Sequence, residues 1–217
     1  MLIKLIRKTL KILPAPVRNS VYSYGNRMFK TSVIRKWEKN GRPVPPPHQV
    51  KQQAIEQYRT LSGNTIFVET GTYLGDMVEA QKRNFAEIYS IEVDDAIWQN
   101  AVKRFSSQKH IHILKGDSAK VLPEITKQLD SPALFWLDGH YSGGVTGKGD
   151  LDCPIYGEID AIFEFKKLNH IMLIDDARCF DGTNDYPTIP ALTSYVKAKD
   201  ANYNVEVKDD IIRIALA

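Results

Sequence analysis

From residue 65 onward the chain alternates short apolar runs with longer amphipathic stretches. Thr65-Ile66-Phe67-Val68 is β-branched or aromatic throughout and reads as a strand buried on both faces. The run stops at Glu69 and turns through Gly71 and Gly75 into an amphipathic segment, Asp76 to Lys82. The same pattern gives strands at 65–69, 87–92, 111–115, 133–138 and 170–175, with helices near 74–82, 95–106, 118–128, 156–167 and 188–199. Two closing strands follow at about 203–208 and 210–216, hinged on Asp209-Asp210. Such an order predicts an α/β protein with a doubly wound, mostly parallel, seven-stranded sheet and an antiparallel C-terminal hairpin strand.

Before residue 65 the pattern is different. Leu2, Ile6, Leu10 and Leu13 share one helical face, while Lys4, Lys8 and Lys11 fall on another, and Pro14 and Pro16 stop the run. This basic amphipathic helix either lies on an anionic membrane surface or docks on the body or on a partner. Gly41-Arg-Pro-Val-Pro-Pro-Pro-His48 is an extended, Pro-rich linker. The chain accordingly divides into a basic helical N-terminal arm with its linker, 1–46, and a ligand-binding domain, 47–217. Gln49 to Leu61 reads as a helix entering that domain, with Val50, Ile55 and Tyr58 roughly on one side.

Charge sharpens this division. Residues 1–42 hold eleven Lys/Arg against one acid, Glu38, for a net +10, whereas the remaining 175 residues hold eighteen Lys/Arg against twenty-five acids, for a net −7. The arm is basic with interleaved aromatics (Tyr22, Tyr24, Phe29, Trp37), but no nucleic-acid module accompanies it and the body is acidic, which argues against specific nucleic-acid binding. Cys153 and Cys179 have no metal-type spacing and form no disulfide framework. With no apolar run long enough to span a bilayer and no signal-peptide core, a cytoplasmic protein is expected, peripheral to a membrane if the arm binds one.

In a doubly wound sheet, ligands sit at the carboxyl ends of the strands. Each strand of the wound half delivers an acid there. Glu69 precedes Gly71 and Gly75; Glu92 ends the second strand, twenty-one residues after Gly71. Gly116-Asp117-Ser118 follows the third, Asp138-Gly139-His140 the fourth and Asp175-Asp176 the fifth. A carboxylate at the place of Glu92 accepts both hydroxyls of a ribose, and the helix start after Gly75 offers free N–H groups to a polar ligand.

Glu69-Thr-Gly-Thr-Tyr-Leu-Gly75, Glu92, Gly116-Asp117-Ser118 and Asp138 together resemble the successive motifs of class I S-adenosylmethionine-dependent methyltransferases, over roughly residues 65–216. The resemblance implies a Rossmann-like methyltransferase fold. It further implies that Gly71, Thr72 and Gly75 pass under the methionine part of the cofactor and that Glu69 orders its amino group. Glu92 would take the ribose hydroxyls, Asp117 and Ser118 would border the adenine, and Asp138 would lie beside the cofactor. Within the family the chain is most similar to metal-dependent O-methyltransferases of the catechol and antibiotic-sugar type. That likeness implies a metal, Mg2+ in the first instance, on Asp138, Asp175 and Asp176. Asp175-Asp176 could equally cap the following turn, and Asp138 could contact only the cofactor.

The catechol-type lysine three places after the first metal acid is absent, and Tyr141 stands there. His140 becomes the candidate catalytic base, since an imidazole suits proton removal at neutral pH; it could instead bind substrate or support Asp138. Tyr141–Asp150 holds four glycines and has the size of a lid or substrate platform. The expected activity is O-methylation of a hydroxyl on a sugar, glycan or other small polar acceptor. The competing expectation is a non-catalytic cofactor-binding module tethered to a membrane assembly by its arm. A dinucleotide-dependent dehydrogenase is disfavoured because its second fingerprint glycine is missing.

Overall fold

A computed structural model of the chain describes residues 28–139, 153–164 and 168–216. Contacts divide the chain into two compact units, meeting between Val50 and Lys51. In the first unit, helix α1 (residues 28–39) and the segment after it gather Ile34, Trp37 and Val50 into a small cluster. The Trp37 indole N–H donates to the Pro43 carbonyl at 2.8 Å. The amphipathic helix expected at 2–13 lies outside the described residues. No helix among the described residues is long and apolar enough to cross a membrane.

Helix α2 (His48–Ser62) leads into the second unit. There the strands are β1 (Ile66–Thr70), β2 (Glu87–Glu92), β3 (Ile111–Lys115), β4 (Ala133–Leu137), β5 (Ile171–Ile174), β6 (Tyr203–Lys208) and β7 (Ile211–Leu216). The helices between them are α3 (Asp76–Gln81), α4 (Asp95–Phe105), α5 (Ser118–Thr126), α6 (Ile155–Glu164) and α7 (Ile189–Lys199). All seven strands form one sheet in the order β3-β2-β1-β4-β5-β7-β6. β1 to β5 pair in parallel, while β7 runs antiparallel between β5 and β6, as expected from the closing hairpin.

Alternation along the central strands builds two cores. Ile66 and Val68 of β1, Phe135 and Leu137 of β4, and Met172 and Ile174 of β5 pack with Leu122, Ile159, Ile162, Leu192 and Val196 of α5, α6 and α7. Their neighbours Phe67, Leu134, Trp136 and Leu173 pack on the opposite face with Ile55, Met77, Val78 and Phe105 of α2, α3 and α4. A strand covered on both faces has no polar side to show, which is why β1 and β4 read as continuous apolar runs. Because β1 lies between β2 and β4, the strand order reverses direction there, and the carboxyl ends of β1 and β4 are where a doubly wound sheet takes its ligand.

Helix starts follow local chemistry. Asp94 accepts from the Ile97 N–H at 2.9 Å and Thr188 from the Ala191 N–H at 3.3 Å, each satisfying a donor the helix leaves open. The helix expected from residue 74 begins two residues later. Gly75 adopts φ 75° before it, a left-handed conformation that a helical residue does not take.

Candidate functional site

The loops leaving β1, β2, β4 and β5 are tied to one another by backbone hydrogen bonds. Gly71 and Thr72 both donate to the Ile91 carbonyl, at 3.0 and 3.1 Å. Asp138 N–H donates to the Thr70 carbonyl at 3.1 Å, and Asp175 N–H to the Leu137 carbonyl at 3.0 Å. Thr70 adds its hydroxyl, which accepts from the Asp138 and Gly139 N–H groups at 3.1 Å each. Four strand ends are thereby held as one rim, and acids far apart in the chain meet on it.

The turn after β1 is set by close approach. At Gly71, with φ 82°, a Cβ would stand 2.3 Å from the Asp138 carbonyl oxygen, so only glycine lets β1 and β4 lie this close. Glu92 closes the turn from the side: one carboxylate oxygen accepts from the Tyr73 N–H at 2.8 Å, the other from the Asp94 N–H at 2.9 Å. Both bonds fix its orientation at the rim while leaving each oxygen further lone pairs for a ligand hydroxyl.

Glu69 is buried, and its register partner on β2 is Ser90. The Ser90 hydroxyl donates to its Oε2 at 2.5 Å, and Thr72 Oγ1 lies 2.7 Å from Ser90 Oγ. A hydroxyl has one proton to give, so with Ser90 committed to Glu69 the Thr72 hydroxyl is the donor of that pair. Burial, with the charges of Asp138 and Glu92, raises the Glu69 pKa well above the usual carboxylate range; the Ser90 bond pulls the other way. Asp117 stands at the end of β3, where one carboxylate oxygen caps α5 by accepting from the Ala119 N–H at 3.0 Å. Ser118 beside it is buried.

At β5 the rim takes a different character. Asp175 is fully buried and paired with the Lys51 ammonium of α2, which also reaches Asp176 Oδ1 at 3.4 Å. The other oxygen of Asp175 accepts the Asp176 N–H at 2.8 Å. Asp176 Oδ1 further accepts from Arg178 at 2.8 Å, and Arg178 in turn pairs with Asp210. Burial and the charge of Asp138 raise the Asp175 pKa, while the Lys51 ammonium pulls it back down and favours the carboxylate. The Lys51 pKa is lowered by burial but carried above its ordinary value by Asp175.

The expectation that Asp138, Asp175 and Asp176 form a Mg2+ site does not fit this arrangement. A hard divalent ion needs several oxygens directed at it with no other cation against them, yet the Lys51 ammonium already sits on Asp175 and Asp176, and Arg178 on Asp176 Oδ1. Among the described residues no three His, Cys, Asp or Glu side chains are grouped to hold a metal.

His140, the expected base, and the Gly-rich segment Tyr141–Asp150 lie outside the described residues. Glu158, at the start of α6, is buried and reaches the rim: a Cβ at Gly139 would stand 3.1 Å from its Oε1. His110, His112 and His170 sit at strand starts, on the opposite rim. His110 Nε2 lies 2.8 Å from the Lys82 carbonyl, His112 Nε2 lies 2.8 Å from Glu87, and His170 Nδ1 accepts the Ala133 N–H. Burial raises both thiol pKa values, Cys153 to about 12, so neither cysteine supplies a thiolate at neutral pH.

Lys51, Thr70 and Ser90 were not legible as site residues. Lys51 had a signal: it falls four residues before Ile55 and seven before Tyr58, on the stripe that α2 buries. A lysine inside a buried stripe needs a carboxylate partner.

No protein-family model matches the chain, and no curated protein sequence does. Solved structures do. The fold is that of a Rossmann-like methyltransferase. An O-methyltransferase from Bacillus cereus in complex with S-adenosylhomocysteine is similar with TM-score 0.55 at 12% identity, over 86% of this chain and 90% of its own. The S-adenosylhomocysteine-bound methyltransferase PaMTH1 of Podospora anserina matches over 95% of this chain and 98% of its own, with TM-score 0.52 and 15% identity. TomG of Streptomyces achromogenes, an O-methyltransferase involved in tomaymycin synthesis and solved with S-adenosylmethionine, gives TM-score 0.53 at 13% identity over 87% and 88%. At these identities the likeness is one of fold.

Proposed function

We propose that the chain is an S-adenosylmethionine-dependent O-methyltransferase acting on a hydroxyl of a sugar, glycan or other small polar acceptor. The observation that carries this reading is the turn from Gly71 to Gly75, closed by the Tyr73 N–H on Glu92 at the point where strand order reverses. Similar folds bind S-adenosylmethionine or its product. Bound there, the cofactor would supply a methyl group, carried on a positively charged sulfur, for transfer to the acceptor oxygen. Gly71, Thr72 and Gly75 would pass beneath the methionine portion, and Glu92 would hold the ribose hydroxyls. Asp117 and Ser118 would border the adenine. Alignment, more than covalent chemistry, is what the protein must provide, and an acid-rich rim favours a sulfonium over a neutral analogue.

His140, two residues beyond Asp138, is the proposed acceptor of the hydroxyl proton. A sugar-like acceptor is favoured by the resemblance to antibiotic-sugar enzymes and by the polar, Gly-rich segment 141–150. No step is assigned to Mg2+, because Asp175 and Asp176 are already engaged by Lys51 and Arg178.

Calorimetry with S-adenosylhomocysteine tests the reading. The wild-type chain is expected to bind it, and Glu92→Ala to bind at least about tenfold more weakly, the loss of a charge-assisted hydrogen bond. Circular dichroism would report the fold of the variant. Equal affinity in a folded Glu92→Ala protein would refute the ribose assignment.

A further inference from the structure

We propose that Lys51 is the resident cation of the β5 rim: its ammonium holds, beside Asp138, Asp175 and Asp176, the place a divalent ion would otherwise take. The side chain enters from the first turn of α2, whose Ala54 and Ile55 are locked into the core. It is 16% exposed, and the Asp175 side chain it meets is 1% exposed, so the pair is nearly removed from water. A carboxylate buried this deeply is strongly unfavourable without a counter-charge, and among the described residues Lys51 is the cation in direct contact with it. The Asp138 charge also acts on the ammonium.

Two features make this a lysine site. Asp175 is fixed at both ends, by its own N–H on the Leu137 carbonyl and by the Asp176 N–H on its Oδ1, so the oxygen facing Lys51 does not swing toward another ligand. An ammonium also has three N–H donors. Among the described residues, Asp175 and Asp176 take two of them, and the third is the donor proposed for an incoming oxygen. Resting on the methyltransferase reading, this makes positive charge at the acceptor end a property of the chain itself.

The test is a Mn2+ titration of the full chain, following the free-ion signal by electron paramagnetic resonance. The wild type is expected to leave that signal unchanged. Lys51→Met, which keeps the aliphatic stem, is expected to bind about one Mn2+ per chain, and a further Asp175→Asn change to remove that binding. Wild-type Mn2+ binding that Asp175→Asn abolishes would overturn the proposal. So would a Lys51→Met or Lys51→Gln protein, folded by circular dichroism, that gains no Mn2+ binding. Should both variants fail to fold, the wild-type titration with Asp175→Asn as its control still decides. S-adenosylhomocysteine binding is measured on the same wild-type sample: its absence would sink the methyltransferase reading and leave the Mn2+ result to judge Lys51.

Discussion

Single positions on the rim are set by contact distances of a few tenths of an ångström. Gly71→Ala forces a methyl group into the Asp138 carbonyl oxygen at a backbone angle that L residues rarely take. A loss of about 2 kcal/mol or more of stability is expected in urea denaturation, and S-adenosylhomocysteine binding should fall with it. The same substitution at Gly63, which has nothing within 4 Å, meets only the backbone strain; its loss should be the smaller of the two. Glu69, Gly71, Glu92 and Asp138 were legible from spacing alone, because a strand end followed by an acid is a pattern within one stretch. Ser90 and Thr70 were not, since their roles arise from partners eighteen or more residues away.

Between elements, α5 and α6 make a close contact. A Cβ at Gly157 would stand 2.9 Å from the Ala119 Cβ, so the two helices touch through a glycine and an alanine. Gly157→Leu should drive them apart and cost about 1–3 kcal/mol of stability as an overpacked contact, read as a lower urea midpoint. Helix and strand positions were readable because buried strands are continuous and apolar and helices are amphipathic. What the pattern did not give was which helix face meets which strand end. The residues of α2 were read as core packing, and its Lys51 gained meaning only beside Asp175, 124 positions later. The carboxylates at β5 looked like metal ligands for the same reason: the chain shows the acids in sequence and hides the cation that neutralises them.

For the molecule as a whole, acid sensitivity follows from His170. Burial lowers its pKa from 6.5 to about 4 in the folded chain, where its ring is edge-on to Phe135. The unfolded chain takes up a proton at the ordinary value, so below about pH 6.5 it gains a proton the native state lacks. Stability should therefore be level in this respect above pH 6.5 and fall as pH drops toward 4, by roughly 3 kcal/mol at most. Urea melts at pH 7 and pH 5 measure it. His170→Gln, which keeps an acceptor for the Ala133 N–H, should show a shallower decline than the wild type.

The placement of β7 inside β6 bears on how the chain comes off a ribosome. Synthesis proceeds from β5 to β6 and only then to β7, yet β6 has no partner in the sheet except β7. A nascent chain halted before Ile211 thus carries β5 with an open edge and β6 with nowhere to go. Completion of the sheet waits on the strand translated last of the seven, and until then that edge is the surface a chaperone would have to shield.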